Sequence, residues 1–295
     1  IIIKKNNKMA EANVIVKNDV ARVRMVDFNY QFTGNLNKFM EILGVTRKIA
    51  VQEGTTLKAL KVTGELESGA VAEGELIPLS HYATQEVPMG EATLGKWRKA
   101  TTAEAILKGG YDQAVGATTD KLVKDVQKDF RGDLFAYLAK GTATATGATL
   151  QPALADGWGK LQVLFEDDAV DTVYFLNPTD IATYLGNAQI TVQTAFGLNY
   201  IENFLGLGTV ILAANVPVGK YYATAKENIV TYYINVGAGD IATAFNLTTD
   251  ETGYIGINEY ANESHAQVED LIMSGVTFFA ERIDGVVVGT IGAGA

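Results

Sequence analysis

The chain has 295 residues, of which 47% are hydrophobic, and it has no cysteine and a formal net charge of −10 at pH 7. Its length predicts about two domains that bury a large core. The lack of cysteine excludes disulfide frameworks, thiolate zinc sites and cysteine nucleophiles, and no apolar run is long enough to predict a membrane-spanning helix.

Charge is distributed unevenly along the chain. Residues 1–48 carry nine Lys and Arg against four Asp and Glu, residues 49–140 eleven against thirteen, and residues 141–295 four against seventeen. An acidic body is poorly suited to holding nucleic acid phosphates. A basic N-terminal segment is suited to lying across the acidic body of another copy, although a solvated surface explains the acidic excess equally well.

The N-terminal segment has only scattered apolar residues. Up to about residue 39 it is rich in Asn and Lys, which indicates an extended arm. Residues 35–43 predict a short helix that ends at Gly44. We therefore interpret residues 1–48 as an N-terminal arm.

Residues 49–95 have the pattern of a long β-hairpin, because two extended runs flank a tip rich in Gly and Glu. An isolated two-stranded hairpin is marginally stable at best in water, and this one is too polar to form a core. We therefore expect it to lie on another surface. Residues 97–106 then alternate like a strand that joins a sheet.

A long helix is predicted over residues 112–140, where apolar residues recur mostly every four positions and mark one buried face. Asp112 is the expected N-cap and Gly141 the expected stop. At ~1.5 Å per residue this helix is roughly 43 Å long. A long helix flanked by extended segments is typical of a subunit whose exposed surfaces are covered by neighbouring subunits. The expected buried positions are Val115, Leu122, Val126, Phe130, Leu134 and Leu138.

The small-residue loop at 141–147 is the best internal boundary. Beyond it, the pattern predicts a buried strand at 171–176, a turn at Asn177 and a short helix that ends at Gly186. The other predicted elements are a helix at 152–166, two strands within 209–236, and strands at 276–280 and 286–288.

Residues 90–96 match the start of a phosphate-binding P-loop. The next position should be Ser or Thr to hold Mg²⁺, and it is Trp97, whose indole cannot bind the metal. A strand is predicted next, so the loop lacks the helix N-terminus that an anion site needs. We interpret the segment as a connector into a strand.

The titratable residues predict neither a catalytic site nor a cofactor. His81 and His265 have no ligand-spaced partner, and no Gly-x-Ser-x-Gly motif supplies a nucleophile. Residues 166–168 and Asp171 form the densest carboxylate cluster, but they lack calcium-loop spacing and indicate a solvated helix end. Spacing does not exclude a glycosidase-like carboxylate pair, because such pairs meet only in the fold.

Aromatic and basic residues give a weak signal for nucleic acid. The tyrosine doublets at 221–222 and 232–233 have the chemistry of base-stacking platforms, but few cations lie near them. Strand packing is the better interpretation. Arg47 and Lys48, with the arginines upstream, form no compact basic patch.

The order of these elements resembles the major capsid protein of tailed bacteriophages, with its Hong Kong 97-type capsid fold. The strand at 97–106 leads into a long helix that looks like the family's spine helix. Residues 173–181 resemble the strand, turn and helix of its axial domain, and residues 281–288 resemble the strand that returns to its peripheral domain. The resemblance covers nearly the whole chain.

The resemblance implies an α+β fold in four parts. They are an N-terminal arm (1–48), an extended β-hairpin loop over an adjacent subunit (49–95), a peripheral domain (96–144 and 249–295) with a spine helix (112–140), and an axial domain (145–248).

The resemblance also implies a structural protein without catalysis. Copies would assemble in the host bacterial cytoplasm into hexamers and pentamers of an icosahedral virion shell, which encloses double-stranded DNA without sequence-specific binding. Scaffold, portal and decoration proteins are further implied partners, and a membrane is not. The candidate inter-subunit contacts are Arg22, Arg24, Lys58, Lys61, Glu65, Glu67 and Glu73.

Three other functions stay open. An encapsulin, a bacterial compartment of the same fold that holds an enzyme cargo, is disfavoured by the long basic arm. A phage tail-tube subunit would form tubes instead of shells. A hydrolase or carbohydrate-binding protein that uses carboxylates such as Asp167 and Asp171 would be a monomer with a deep cleft.

Overall fold

The computed structural model describes residues 17–65, 67–165, 170–186 and 191–292, without the side chains of residues 17–23, 59–63, 87 and 183. None of the helices in these ranges is both long and apolar enough to cross a membrane. The helices are α1 (Lys17–Leu43), α2 (Ala103–Gly109), α3 (Ala117–Leu138), α4 (Leu150–Leu164), α5 (Pro178–Leu185) and α6 (Asp240–Ala244).

The strands of the described residues form four sheets. They are β1 (Lys48–Ala50), β2 (Thr56–Glu65), β3 (His81–Glu91), β4 (Gly95–Thr102), β5 (Ala143–Gly147), β6 (Thr172–Leu176), β7 (Gln193–Ala195), β8 (Leu198–Phe204), β9 (Gly208–Leu212), β10 (Lys220–Ala225), β11 (Ile229–Tyr233), β12 (Thr248–Thr249), β13 (Ile255–Asn262), β14 (Gln267–Ser274), β15 (Thr277–Ala280) and β16 (Val286–Ile291). The sheet orders are β5-β16-β10-β6-β9-β8-β7, β12-β13-β14-β4, β1-β11-β15 and the hairpin β2-β3.

The predicted extended arm is wrong for residues 17–34, which are helical; they form α1 together with residues 35–43, where the predicted helix is confirmed. Apolar side chains three or four positions apart enter the main core, where Phe32, Leu36 and Leu43 are fully buried. Phe32 also meets Phe130 of α3 edge-on, with ring centroids 6.1 Å apart. The helix is therefore part of its own protomer and does not reach across to a neighbour.

The polar residues that suggested an arm lie on the outer side of this helix. Asn35 and Lys38 are exposed, between the buried positions. Gly44 ends the helix as predicted, with a φ of +69° that favours glycine. Residues 1–16 of the predicted arm lie outside the described residues.

The predicted spine helix is confirmed. A single π-helical turn, Asp112–Gly116, leads into α3. The helical segment therefore begins close to the predicted start, but the predicted N-cap is wrong, because Asp112 lies inside the turn and no side chain caps it. The predicted face is buried at Val115, Val126, Phe130, Leu134 and Leu138, and Leu122 is partly buried.

The predicted hairpin is also confirmed, because β2 and β3 pair antiparallel along their whole length. The strand predicted at 97–106 ends earlier, at Thr102. There the Thr102 hydroxyl accepts a hydrogen bond from the Ala105 amide at 3.4 Å and caps α2. Residues 103–109 are therefore helical, which corrects the prediction.

The seven-stranded sheet is covered on both faces. Phe175 of β6 meets Phe135 of α3 edge-on at 5.5 Å. The neighbouring Tyr174 points to the other face, where its hydroxyl donates to the Leu154 carbonyl of α4 at 3.2 Å. The predicted turn after β6 is confirmed, because the Asn177 side chain caps α5.

The prediction that residues 281–288 return to the peripheral domain is wrong for β16. This strand pairs with β5 and β10 inside the seven-stranded sheet. Val286 and Val287 are both fully buried, as in strands that are covered on both faces. The strands that return to β4 are β13 and β14, in the four-stranded sheet.

Candidate assembly surfaces

The hairpin tip, which we define as residues 64–65 and 67–82, presents apolar side chains directly to solvent. Leu76 and Leu79 are 94% and 91% exposed, and Ile77 and Tyr82 are also exposed. Contiguous exposed apolar surface on a soluble protein marks a site of interaction. The tip therefore has the character of a surface that a partner covers.

The same tip is acidic. Glu65, Glu67 and Glu73 are exposed, and the sequence has no Lys or Arg between Lys61 and Lys96. A partner for this tip must combine apolar surface with positive charge, because complementary potentials favour association.

The root of the hairpin is fixed to the body. Leu57 is buried in a small cluster with Ala92 and Phe279. Opposite Leu57, Gly90 has a φ of +147°, and the strand register shifts between Leu57 and Lys58. The hairpin is thus anchored at its root. Its strand β2 has ten residues, which at ~3.4 Å per residue places the tip roughly 34 Å from the root.

The other predicted contact residues on this hairpin and on α1 have different surroundings. Lys58 pairs with Glu86 across the hairpin at 2.6 Å, in an exposed ion pair of a kind that contributes little stability. The side chains of Arg22 and Lys61 lie outside the described part of the chain, so their roles stay predictions.

Arg24 lies inside its own protomer. Its guanidinium pairs with Glu259 of β13 and lies 5.4 Å above the ring of Tyr111, whose hydroxyl donates to the same carboxylate. Burial raises the pKa of Tyr111, so the hydroxyl keeps its proton. Arg24 therefore joins α1 to the four-stranded sheet within its protomer, and its role as a contact to a neighbour stays a prediction.

A second, buried ion pair ties the inner face of this sheet to the spine helix. Lys99 Nζ lies 2.7 Å from Asp270 Oδ2 and 3.0 Å from the carbonyl oxygen of Val115 in the π-helical turn. Thr119 donates to the same Asp270 oxygen at 2.6 Å. Asp270 is only 1% exposed, so loss of either charge would leave the other buried without its partner.

The outer face of the four-stranded sheet carries a fixed carboxylate. Glu269 accepts hydrogen bonds from the Tyr260 hydroxyl at 2.6 Å and from the amides of Asn262 and Gln267 at 2.7 Å each. The bond from Tyr260 is the largest cause that lowers the pKa of Glu269 to about 2. Arg98 NH1 lies 3.7 Å from the carboxylate, and the Arg98 side chain is 66% exposed. Sequence reasoning missed this cluster.

An apolar surface also follows α4. Trp158 and Val163 are exposed beside a groove of about 510 Å³ between α4 and the edge strand β5. The side chains of Asp156 and Lys160 bond backbone groups of β5, which satisfies part of its open edge. This surface is therefore suited to side-chain packing and not to strand addition.

Two motif interpretations are confirmed. Residues 90–96 span the end of β3, a short connector and the start of β4, with no helix directly after them, and Trp97 packs edge-on against Phe130 at 5.6 Å. The doublet at 221–222 is buried in β10, and each tyrosine at 232–233 packs against another ring of the chain. These aromatics hold the fold together.

The described residues bring no group of three or more metal-binding side chains together. His81 and His265 are both exposed, at the tip of the hairpin and in the turn after β13. Asp171 is exposed and lies 3.5 Å from Lys226. Residues 166–168, which include the Asp167 of the hydrolase hypothesis, lie outside the description.

No protein-family model and no curated protein matches this chain. Its structure is similar to the capsid of a native GTA particle, at 9% identity and a TM-score of 0.53, covering 98% of this chain and 95% of that one. It is similar to the mature capsid of bacteriophage PhiM1, at 8% identity and a TM-score of 0.52, covering 84% and 86%. It is also similar to the holo-SrpI encapsulin complex of Synechococcus elongatus, at 11% identity and a TM-score of 0.51, covering 85% and 87%.

These likenesses show the fold. The chain has the Hong Kong 97-type capsid fold, and the α+β class and fold predicted from the sequence are confirmed. Fold alone does not assign a function.

Proposed function

We propose that the chain is a structural shell protein, the major capsid protein of a tailed bacteriophage. Its copies assemble in the bacterial cytoplasm into the pentamers and hexamers of an icosahedral virion shell around double-stranded DNA. The observation that carries the proposal is the hairpin tip, whose Leu76 and Leu79 are 94% and 91% exposed at the end of an element without a core. Such a tip becomes favourable when another surface covers it.

Assembly would be favoured because each copy covers the exposed hairpin tip of another copy. Full burial of a Leu side chain contributes about 1.5–3 kcal/mol, so covering Leu76, Ile77 and Leu79 contributes several kcal/mol to each contact. Part of this gain is offset by the entropy lost on association. A contact in which the tip of each copy lies on the next copy is heterologous, and such contacts form rings where the rotation between copies closes.

The charge distribution fits a container for DNA. Residues 141–295 carry seventeen Asp and Glu against four Lys and Arg. An acidic wall repels phosphates, which would let a genome slide while the shell fills. In this proposal residues 145–248 form the axial domain around the symmetry axes, and scaffold, portal and decoration proteins are further partners.

One observation favours a second candidate, the shell of an encapsulin-type compartment with a protein cargo. The long basic arm was the argument against it, and residues 17–43 of that arm form a core helix. The likeness to an encapsulin complex is consistent with this candidate. The two candidates share the shell and differ in what it encloses.

Negative-stain electron microscopy of the purified full-length chain tests the shell itself. Spherical particles are the expected result. Tubes would select the tail-tube alternative, and dispersed monomers would overturn the proposal. Particles purified from phage-infected cells should then protect DNA from nuclease, whereas a protein cargo in place of DNA would select the compartment.

A further inference from the structure

We propose that the groove between α1 and α3 binds a linear aliphatic polyamine. The protonated amines of this ligand would lie against the carboxylates of the groove, and its methylene chain would lie on the apolar floor. The groove has a volume of about 620 Å³. Such a site belongs to the single protomer, so it does not depend on the proposed shell function.

The groove is elongated, because the two helices lie side by side over its length. Residues 24–35 of α1 form one wall, and residues 112–127 of the π-helical turn and α3 form the other. Near one end, a Cβ atom at Gly116 would lie 3.5 Å from a terminal nitrogen of Arg24. Near the other end, Phe32 meets Phe130 edge-on. A long ligand in this groove would therefore contact both helices.

Three exposed carboxylates line the groove. Asp27 lies on the α1 wall, and Asp112 and Asp120 lie on the opposite wall. None of the three forms an ion pair with any described residue, unlike the carboxylates that are paired elsewhere in the protomer. Their charges are therefore free to interact with a ligand.

Two cations also line the groove, but one of them is already neutralised. Arg24 pairs with Glu259, whose side chain is only 4% exposed and thus out of reach of a ligand. Among the lining residues, Lys124 is the cation left to offset the three carboxylates. The groove therefore favours a cationic ligand and repels phosphates.

The carboxylates are spread along the groove and do not converge on one point. Asp112 and Asp120 are eight positions apart, which is roughly 12 Å along a helix at ~1.5 Å per residue. The described residues bring no group of three or more metal-binding side chains together, here or elsewhere. A compact divalent cation therefore does not fit this arrangement, whereas a linear polyamine carries several charges along one chain.

A buried amide gives a second, independent indication of a ligand. Gln127 lines the groove and is only 7% exposed, and its side-chain amide makes no hydrogen bond with any described residue. Buried polar groups in folded proteins are nearly always paired. The side-chain oxygen of Gln127 can accept a charge-assisted hydrogen bond from a protonated amine, so a polyamine would supply the missing partner.

Apolar side chains separate the polar groups of the groove. Phe28 and Phe32 line it from α1, and Val123 lines it from α3. Phe28 is half-buried, so part of its ring is accessible. Methylene groups of a ligand would pack on this floor, and an ammonium above the Phe28 ring would gain a cation–π contact. This combination favours an alkyl ammonium over a hydrated inorganic ion.

Isothermal titration calorimetry of the unassembled full-length protein with spermidine tests the site. We expect saturable binding that Asp112→Asn/Asp120→Asn weakens at least about tenfold, because two charge-assisted contacts are lost. The control Asp125→Asn/Asp129→Asn removes the same charge from a different groove of α3 and should bind like wild type. Equal losses in the two double variants would indicate non-specific attraction to an acidic surface and would overturn the inference.

Gln127→Leu separates a role in binding from a role in folding. It should weaken spermidine binding about tenfold, because a hydrogen bond to a charged amine is lost. Its Tm without ligand should not fall, since the amide has no partner in the protomer. Spermidine should also raise the Tm of wild type but not that of Asp112→Asn/Asp120→Asn. A lower Tm of Gln127→Leu with unchanged affinity would contradict the proposed contact.

Competition at matched ionic strength identifies the chemistry of the ligand. Neither Mg²⁺ nor butylamine should displace spermidine, because each presents its charge at a single point. Displacement by Mg²⁺, or tight binding of a lysine-rich peptide by a protein that does not bind spermidine, would overturn the inference. Hydrogen exchange should show that spermidine protects residues 24–35. Protection confined to other parts of the chain would also overturn it.

Discussion

Phe39 of α1 stacks on Phe196 in the turn between β7 and β8, with ring centroids 5.2 Å apart and an interplanar angle of 15°. Both rings are almost completely buried. Phe196 has a φ of +49°, a left-handed conformation that is uncommon for a bulky residue. The stacking therefore holds a strained turn in place and makes residues 17–43 part of the core.

Removing the Phe39 ring should destabilise the protomer strongly. We expect Phe39→Ala to lower the free energy of unfolding by about 3–5 kcal/mol, because a large buried aromatic is replaced by a cavity. Urea denaturation followed by circular dichroism measures the change. Tyr30→Ala on the same helix is the control, since Tyr30 is 66% exposed, and it should change the value by about 0.5 kcal/mol or less. If Phe39→Ala changed the free energy of unfolding as little as Tyr30→Ala, α1 would not be part of the core.

The sequence carried enough signal for the spine helix. Val126, Phe130 and Leu134 recur every four positions, and this periodicity is visible without any tertiary information. In α1 a similar signal is present at Phe32, Leu36 and Phe39. Its frequent Asn and Lys residues suggested an extended arm, although the period of the apolar residues decides which face is buried.

The cluster on the outer sheet face lay beyond sequence reasoning. Arg98 and Glu269 are distant in the chain, and only the pairing of β4 with β14 brings them together. Nothing local to either residue signals that register, because strand pairing depends on the whole fold. The hairpin itself was predicted, because its two extended runs and its tip rich in Gly and Glu are contiguous in sequence. The exposure of Leu76 and Leu79 at that tip was not predicted.

The buried pair of Lys99 and Asp270 should be sensitive to single substitutions. Lys99→Met or Asp270→Leu alone should lower the free energy of unfolding by about 3–5 kcal/mol, because each leaves an uncompensated buried charge. The double variant should recover most of that loss, since apolar replacements of a buried pair are often tolerated. Chemical denaturation of the three variants measures the coupling. Additive losses would show that the two charges act independently.

Polar substitution at the hairpin tip should separate assembly from folding. We expect Leu76→Ser/Leu79→Ser to prevent shell formation while the Tm of the unassembled protein stays unchanged, because these side chains contact solvent in the protomer. Size-exclusion chromatography with light scattering measures assembly. The conservative variant Leu76→Ile/Leu79→Ile keeps the apolar surface and should still assemble. Normal shells from the serine variant would refute the role of the tip.

Glu269 should make the stability of the folded protein depend on pH in the acid range. Its pKa falls from 4.5 to about 2 in the folded protein, so the folded state favours the ionised form. That contribution is complete above about pH 4.5 and is lost as the pH falls towards about 2. The Tm advantage of wild type over Glu269→Gln should therefore be largest near neutral pH and shrink below about pH 4.5.

A second variant checks the cause of this dependence. Tyr260→Phe removes the donor with the largest effect on the pKa of Glu269, so the acid-dependent loss should be smaller and should end at a higher pH than in wild type. Thermal melts at matched assembly state, across the acid range, measure both variants. A constant Tm difference between wild type and Glu269→Gln at every pH would contradict the assignment.

The most direct test is whether a neighbouring copy covers the hairpin tip. Because the chain has no cysteine, Leu79→Cys introduces a single thiol whose labelling by a maleimide reports its exposure. We predict rapid labelling of dissociated protein and strong protection in assembled particles. Equal labelling rates in the two states, or a protein that stays a monomer under all conditions, would contradict this prediction.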